Sequence, residues 1–444
     1  MSVIPRLFCP ALQGNGPGRA VSLACLCLLL ALTACAPTPE ANVIGYLIAE
    51  RLGSLEPAEP ATPRGALTGQ VLHDGQPVPH ATVIVAERTG LPHVAQTDEQ
   101  GRYTLTHIPR GQYVPAAVAP GFVESTLRDR WGQPNLVTIR AGSTTVAPPL
   151  ILQRHVVSPL PVNLAQRVDL HLTARTEITA AFPANARAKE EAFRFVYAGA
   201  TVDTLRLYRT PAAQPTTTSA AADLPLLFMV YPTHVDLWQS VSVALAAEGF
   251  TVVAISPLTV RGVDIDAHAA DARVALALAQ QGALDPALQG RRAVALGGSF
   301  SSAILHRLIQ QVDGDIVGWV TVGGISNAFT GAAEFYAGKL AIPPQYKYLI
   351  PALGSPSLYP LAFLRFSPVY TAAQLPPTMI IHTAADHVIP IAQAYELEDA
   401  LKAAGVPVQV FYYADVSHYL QIDDQMTDAG REMFYRIVDF AREW

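Results

Sequence analysis

The sequence is poor in cysteine and in charge, and each shortage removes a class of protein. Its four cysteines, Cys9, Cys25, Cys27 and Cys35, all fall within the first 35 of 444 residues. Nothing after them can form a disulfide framework or a cysteine-ligated metal site. Charged residues make up 15% of the chain and the net charge is −6. That leaves no basic footprint for tracking phosphates, so nucleic acid is not an expected partner. There is no His-Glu-x-x-His run or comparable ligand cluster, and neither a metal nor another cofactor is expected. The apolar run near the start, residues 20–34, is short for a helix that spans a bilayer. What is plentiful is hydrophobic side chain, at 50% of residues, enough at this length to bury the cores of two or three domains.

Arg6 and Arg19 place positive charge ahead of that apolar run, which ends in Leu32-Thr33-Ala34-Cys35. Positive, then apolar, then small is the order of an export signal. These last four residues resemble the lipobox of bacterial lipoproteins. The resemblance implies cleavage just before Cys35, diacylation of that cysteine, and a protein anchored to a membrane by lipid, outside the cytoplasm in the cell envelope. A plain secretory peptide or an N-terminal membrane anchor is the competing reading. Residues 36–65 read as linker, because APTPE and EPAEPATPRG are Pro-rich and polar. Between them Val43, Ile44, Leu47, Ile48, Leu52 and Leu55 recur at helical spacing. Lacking a Lys/Arg face, this short helix is expected to pack on a domain rather than lie on a membrane.

From residue 66 to 154 the pattern is short alternating strands broken by turn residues. Residues 69–72 lead to Asp74-Gly75, a hairpin signal, and residues 81–85 form a β-branched strand. Thr97-Asp98-Glu99-Gln100-Gly101-Arg102-Tyr103 and Ile108-Pro109-Arg110-Gly111-Gln112-Tyr113 each turn into another strand. This spacing argues for a small β-sandwich. The same motifs, starting at Gly69, resemble the carboxypeptidase regulatory-like domain. The resemblance implies a transthyretin-like sandwich acting as spacer or as a binding module for envelope glycan or protein, with no catalytic residues of its own. Asp98 and Glu99 read as polar turn residues rather than as a calcium site.

From residue 166 to 444 strands alternate with helices, the pattern of a sheet flanked by helices. Two antiparallel strands, 168–178 and 192–208, are expected to open it, followed by a low-complexity loop at TPAAQPTTTSAAAD. Strands follow at 226–231, 251–255, 293–296, 316–322, 378–382 and 408–413. Helices fall at 237–248, 266–280, 302–311, 391–404 and 428–442. An insert at 325–375, rich in aromatics and proline, fits neither period and is expected to form a lid or pocket wall.

Between the 293–296 strand and the next helix lies Gly297-Gly298-Ser299-Phe300-Ser301, a near match to Gly-x-Ser-x-Gly. A strand turning sharply into a helix holds its central serine in a strained conformation with Oγ projecting above the sheet edge. Ser301 stands where a second glycine is usual. A serine hydroxyl is a weak nucleophile and needs a base in reach and a third group to orient that base. Asp386, after one late strand, and His418, after the next, supply them in the order Ser, Asp, His. Both sit at the C-terminal edge, where parallel sheets place ligands. Asp415, three residues before His418, is the competing acid; Asp386 could instead serve a helix N-terminus. His234, His306 and His382 read as structural and His387 as a solvated loop residue. Asp264 and Asp266 are a poor glycosidase pair, since residues so close do not flank a bond from opposite sides.

The run SPVYTAAQLPPTMIIHTAADHVIPIAQAYELEDALKAAGVPVQVFYYADVSHYL resembles the C-terminal part of the prolyl oligopeptidase and dienelactone hydrolase branches of the α/β-hydrolase family, with Thr383 replacing the usual glycine before Asp386. The resemblance, over residues 225–444, implies an α/β-hydrolase fold with Ser299 as nucleophile, His418 as base and Asp386 as orienting acid. It implies an oxyanion hole of two backbone N–H groups, one from Phe300. The second would come from the segment Val230-Tyr231-Pro232-Thr233-His234; Pro232 has no N–H, which makes Thr233 the candidate ahead of His234. The expected activity is a serine hydrolase acting on a small-molecule ester or other acyl substrate. Ester is preferred to peptide because peptidase relatives carry a large propeller, which ninety residues of sandwich cannot supply. The alternative is a catalytically inactive binding lipoprotein on a hydrolase scaffold.

Overall fold

The computed structural model describes residues 38–53, 55, 62–183, 185–211, 224–416, 418 and 427–444. The expected export signal with Cys35, and most of the expected 210–223 loop, lie outside the described residues.

The large domain is organised on one sheet: β1 (His171–Ala180), β2 (Ala186–Tyr197), β3 (Ala200–Arg209), β4 (Leu226–Val230), β5 (Thr251–Ile255), β6 (Ala293–Gly298), β7 (Ile316–Val322), β8 (Thr378–Thr383) and β9 (Val408–Tyr413). Their order across the sheet is β1-β2-β3-β5-β4-β6-β7-β8-β9. β1, β2 and β3 pair antiparallel with their neighbours, and β4 to β9 run parallel. The expected single strand at 192–208 is two strands. Ala198 and Gly199, at φ 45° and 76°, turn the chain between β2 and β3; two successive positive φ values are what a tight hairpin requires.

The helices used below are α1 (Pro39–Arg51), α2 (Gln239–Ala247), α3 (Ile265–Gln280), α4 (Phe300–Gln311), α5 (Ala328–Tyr336), α6 (Ala392–Ala403) and α7 (Asp428–Arg442). The parallel strands read as unbroken apolar runs because both faces are covered. Leu226, Phe228 and Val230 point to the side packed by α3, α4 and α6, whereas Leu227, Met229 and Tyr231 point to α2 and α7. Strand order reverses at β4, so the loops after β4 and β6 border the crevice at the sheet's C-terminal edge, where such sheets bind ligands.

The N-terminal domain is a sandwich. One sheet centres on strand Arg64–His73 paired with Arg102–Pro109, and the other on Thr82–Ala86 paired with Pro92–Gln96 and Ala116–Val118. Asp74 and Gly75, at φ 48° and 76°, close the hairpin that sets Leu72 opposite Pro77. Asp98 Oδ1 accepts the N–H groups of Gln100 (2.9 Å) and Arg102 (2.8 Å), a turn-forming role. Alternation along 82–86 sends Val83 and Val85 into the sandwich core and Ile84 and Ala86 outward. The outward pair joins Ala116 and Val118 against Phe329, Ala332, Phe363 and Leu364 of the large domain. Beside this apolar seam, Glu124 of the sandwich pairs with Arg307 (2.9 Å) and Arg365 (3.0 Å), and Asp266 completes the network with both arginines.

The 325–375 insert is more regular than its pattern suggested. It contains α5, one-turn helices at Leu349–Ala352 and Pro360–Leu364, and several 3-10 turns. Helices this short offer too few residues for a periodic signal. The insert also receives α1. Asn42 Nδ2 donates to the Ala352 carbonyl (3.0 Å), the Tyr46 ring lies 6.2 Å from both Phe335 and Tyr336, and Ala49 is buried. Asn42 and Tyr46 thus make the contact, and most of the apolar stripe that spacing had pointed to stays out of it. Ile44, Leu47, Ile48 and Leu52 face outward.

Candidate active site

The site begins with a turn under strain. β6 passes directly into α4, and the residue between them, Ser299, has φ 53° and ψ −129°. Such a conformation costs a non-glycine residue on the order of 1–3 kcal/mol and persists only where the surroundings enforce it. Here the Ser299 N–H donates to the Val322 carbonyl of β7 (3.1 Å), and its own carbonyl accepts from the Ser302 N–H (3.3 Å). Two glycines make the approach feasible. A Cβ on Gly298 would lie 2.6 Å from the Val322 oxygen, and one on Gly297 would lie 2.7 Å from Leu305 Cδ1. Ser301, the departure from the usual pattern, is buried; its Oγ donates to the Gly298 carbonyl (2.7 Å) and accepts from the Gly298 N–H (3.0 Å). A glycine there could make neither bond, so the serine stitches the turn together.

His418 and Asp386 reach this serine from the loops after β9 and β8. His418 Nε2 lies 3.0 Å from Ser299 Oγ, and its Nδ1 lies 2.6 Å from Asp386 Oδ2. Asp386's side chain is fully shielded and that of His418 is nearly so. The other carboxylate oxygen, Oδ1, accepts the N–H groups of Val388 (2.9 Å) and Ile389 (2.8 Å). Burial pushes the Asp386 carboxyl up. The hydrogen bond from His418, with those from the two backbone N–H groups, outweighs it and holds the group below the usual carboxylate range. An ionised carboxylate can only accept, so the imidazole proton sits on Nδ1 and Nε2 is free to accept from the serine hydroxyl.

The structure also brings His382 to this carboxylate, its Nε2 3.6 Å from Asp386 Oδ2, while that N–H donates to the Ile389 carbonyl (2.8 Å). Expected to be structural, His382 stands instead against the acid; its position four residues before Asp386, at the end of β8, is the signal in the sequence. Burial lowers its pKa and keeps it neutral. His234 lines the cavity around Ser299, and the other histidines and acids singled out in the sequence lie elsewhere. His306 is buried with Nε2 2.6 Å from Thr371 Oγ1, while His234, His387 and Asp415 are exposed. Asp264 caps α3 by accepting the Ala267 N–H (3.0 Å), and Asp266 belongs to the arginine network. Among the described residues no group of three or more His, Cys, Asp or Glu is placed to hold a metal.

Around Ser299 opens a cavity of about 1130 Å³. Tyr231 to His234 on one side and Gly298 to Phe300 on the other form its base. Phe300 is the first residue of α4, where the backbone N–H has no intrahelical partner. In the loop after β4, the Tyr231 N–H is already given to the Ile255 carbonyl (2.9 Å), and Pro232 has none. Thr233 follows, held by the Trp238 indole N–H donating to its Oγ1 (2.9 Å). The upper wall comes from the insert, chiefly Ile325, Leu340, Ile342, Leu349, Ile350 and Leu353. His268 also reaches the cavity, its ring edge-on to Phe300 at 5.7 Å and its Nε2 3.1 Å from the Gly262 carbonyl.

The strand order, the elbow and the three side chains at the sheet's C-terminal edge define an α/β-hydrolase fold preceded by a β-sandwich. Family comparison is more specific for two segments. Residues 66–148 match the carboxypeptidase regulatory-like domain, and residues 352–444 match the prolyl oligopeptidase family. No curated protein matches the sequence. Similar solved structures include an acylaminoacyl peptidase from Pyrococcus horikoshii, with 13% identity, a TM-score of 0.41, and coverage of 81% of this chain and 54% of that one. Another is Thermogutta terrifontis esterase 2 phosphoramylated by tabun, with 15% identity, a TM-score of 0.38, and coverage of 62% and 96%. The chain spans about half the length of the Pyrococcus horikoshii peptidase.

Proposed function

We propose that this protein is a serine hydrolase that cleaves an ester by way of an acyl-enzyme. The observation that carries the reading is the hydrogen-bonded path from Ser299 through His418 to Asp386, with spacings of 3.0 and 2.6 Å. Ser299 Oγ attacks the substrate carbonyl carbon as His418 Nε2 takes its proton, and Asp386 steadies the imidazolium that forms. The tetrahedral oxygen is held by the N–H groups of Phe300 and Thr233. His418 then returns its proton to the leaving alkoxide. Water, activated by the same histidine, releases the acid and restores Ser299. Ester is favoured over peptide because the cavity wall is mainly aliphatic and a ninety-residue sandwich stands where peptidases of the family carry a propeller. In this reading the mature chain is tethered by lipid at Cys35 and works outside the cytoplasm.

The test is fluorophosphonate labelling of the mature protein, wild type beside Ser299→Ala, read by intact mass. Wild type is expected to gain one adduct at Ser299 and the variant none. A folded wild type that takes no label, or a variant that takes it equally, would overturn the assignment.

A further inference from the structure

α1 carries two faces with different neighbours. Asn42 and Tyr46 meet the insert, and on the opposite side Ile44, Leu47, Ile48 and Leu52 are 49%, 40%, 47% and 74% exposed. At 100° per residue, positions 44, 47 and 48 form one stripe, continued by 52 a turn later. Four large aliphatic side chains on one exposed face call for a cover. The covered face fixes the helix to residues 335–354, the segment whose other side lines the cavity above Ser299. Tyr346 and Leu349 of that segment both line the cavity and stay 37% exposed, so they stand at its mouth. Leu237, in the segment after β4, also lines the cavity and is 76% exposed. The mouth is therefore rimmed by apolar side chains, and part of that rim belongs to the segment that carries α1.

Chain length names the occupant. Only three peptide units separate Cys35 from Thr38, the capping residue of α1. Fully extended, they reach at most about 11 Å. A lipid on Cys35 consequently draws the start of α1 to the bilayer surface, within the depth at which interfacial helices lie. We propose that the Ile44/Leu47/Ile48/Leu52 face of α1 rests in a lipid bilayer, turning the cavity mouth to that surface, and that the substrate is an acyl ester of a membrane lipid. The proposal rests on lipidation at Cys35 and on the hydrolase reading above. Arg51 is the helix's one basic residue, so the seat is apolar and does not depend on anionic headgroups.

The experiment uses the mature lipidated chain in phosphatidylcholine vesicles. Intact mass first reports the acyl groups on Cys35. No cysteine follows Cys35 in the sequence, so Ile48→Cys and Glu50→Cys each accept one environment-sensitive fluorophore. The label at 48 is expected to shift to the blue in vesicles and the label at 50 to stay water-like. In parallel, Ile44→Glu/Ile48→Glu is expected to cut turnover of a vesicle-borne long-chain ester by about tenfold or more while leaving a soluble short-chain ester within about twofold. Water-like emission at 48 on the lipidated protein would overturn the proposal. So would a blue shift without vesicles, which would mean that a second copy covers the stripe, or equal effects on both esters. If wild type hydrolyses neither ester, the hydrolase reading and the substrate claim fall, and the two labels still decide the seating. An unacylated Cys35 removes the tether and with it the proposal.

Discussion

Replacing Asp386 with asparagine tests the proposed base more sharply than deleting the nucleophile, because it changes almost nothing but a proton. Oδ1 accepts two backbone N–H groups, from Val388 and Ile389. In Asp386→Asn the amide oxygen must stay in that position, since a flip would set the NH₂ group against two donors. The NH₂ then faces His418 Nδ1, where the carboxylate oxygen stood at 2.6 Å. It can only donate, so Nδ1 becomes the acceptor and the ring proton moves to Nε2. That nitrogen, 3.0 Å from Ser299 Oγ, would point a proton at the hydroxyl it must deprotonate. A tautomer reversal of this kind lowers kcat by about 10⁴ in serine-histidine-aspartate sites, or about 5 kcal/mol of transition-state stabilisation. The fold should survive, with the weaker hydrogen bonds costing on the order of 1 kcal/mol. The assay is p-nitrophenyl butyrate turnover with a thermal melt alongside. A loss under about tenfold with an intact melt would show that His418 does not act as a base oriented by Asp386.

Acid should destabilise the protein well above the titration range of its carboxylates. Burial, aided by the Arg307 charge, pushes the pKa of His306 down to about 3, whereas an unfolded histidine titrates near ~6.5. Between those values the unfolded chain binds the extra proton, so stability falls as pH falls, by up to about 1.4 kcal/mol per pH unit for this group. Burial lowers His268 and His382 in the same sense, and the depressed Asp386 adds a loss below its unfolded value of about 3.9. Urea midpoints from pH 7 to pH 4.5 should drop in wild type and drop less in His306→Gln; parallel slopes would discount the buried imidazole. Glu124→Ala should destabilise the folded chain by about 3 kcal/mol, because it removes one partner of buried Arg307, with Asp266 moderating the loss. A urea midpoint within error of wild type would show that the sandwich does not depend on this network.

Sequence alone determined the parts of this protein whose signals are local. The Asp74-Gly75 hairpin, the parallel strands and the glycine-flanked serine each depend on a few adjacent residues, on side-chain period or backbone permission. The order Ser299, Asp386, His418 was legible because each follows a strand of recognisable pattern. Tertiary structure decided what distance along the chain conceals. Ser299 and His418 are 119 residues apart, and their contact exists because β6 and β9 belong to one sheet whose C-terminal edges align. The same assembly placed His382 beside Asp386 and gave Ser301 a purpose its motif position did not suggest. It also set the neighbour of each helix face. Periodicity marked Ile44, Leu47 and Ile48 as one stripe, but a period does not say which side of a helix meets the protein. Asn42 and Tyr46 took that side, because the insert offered a carbonyl and aromatic rings there, and the aliphatic stripe was left outward.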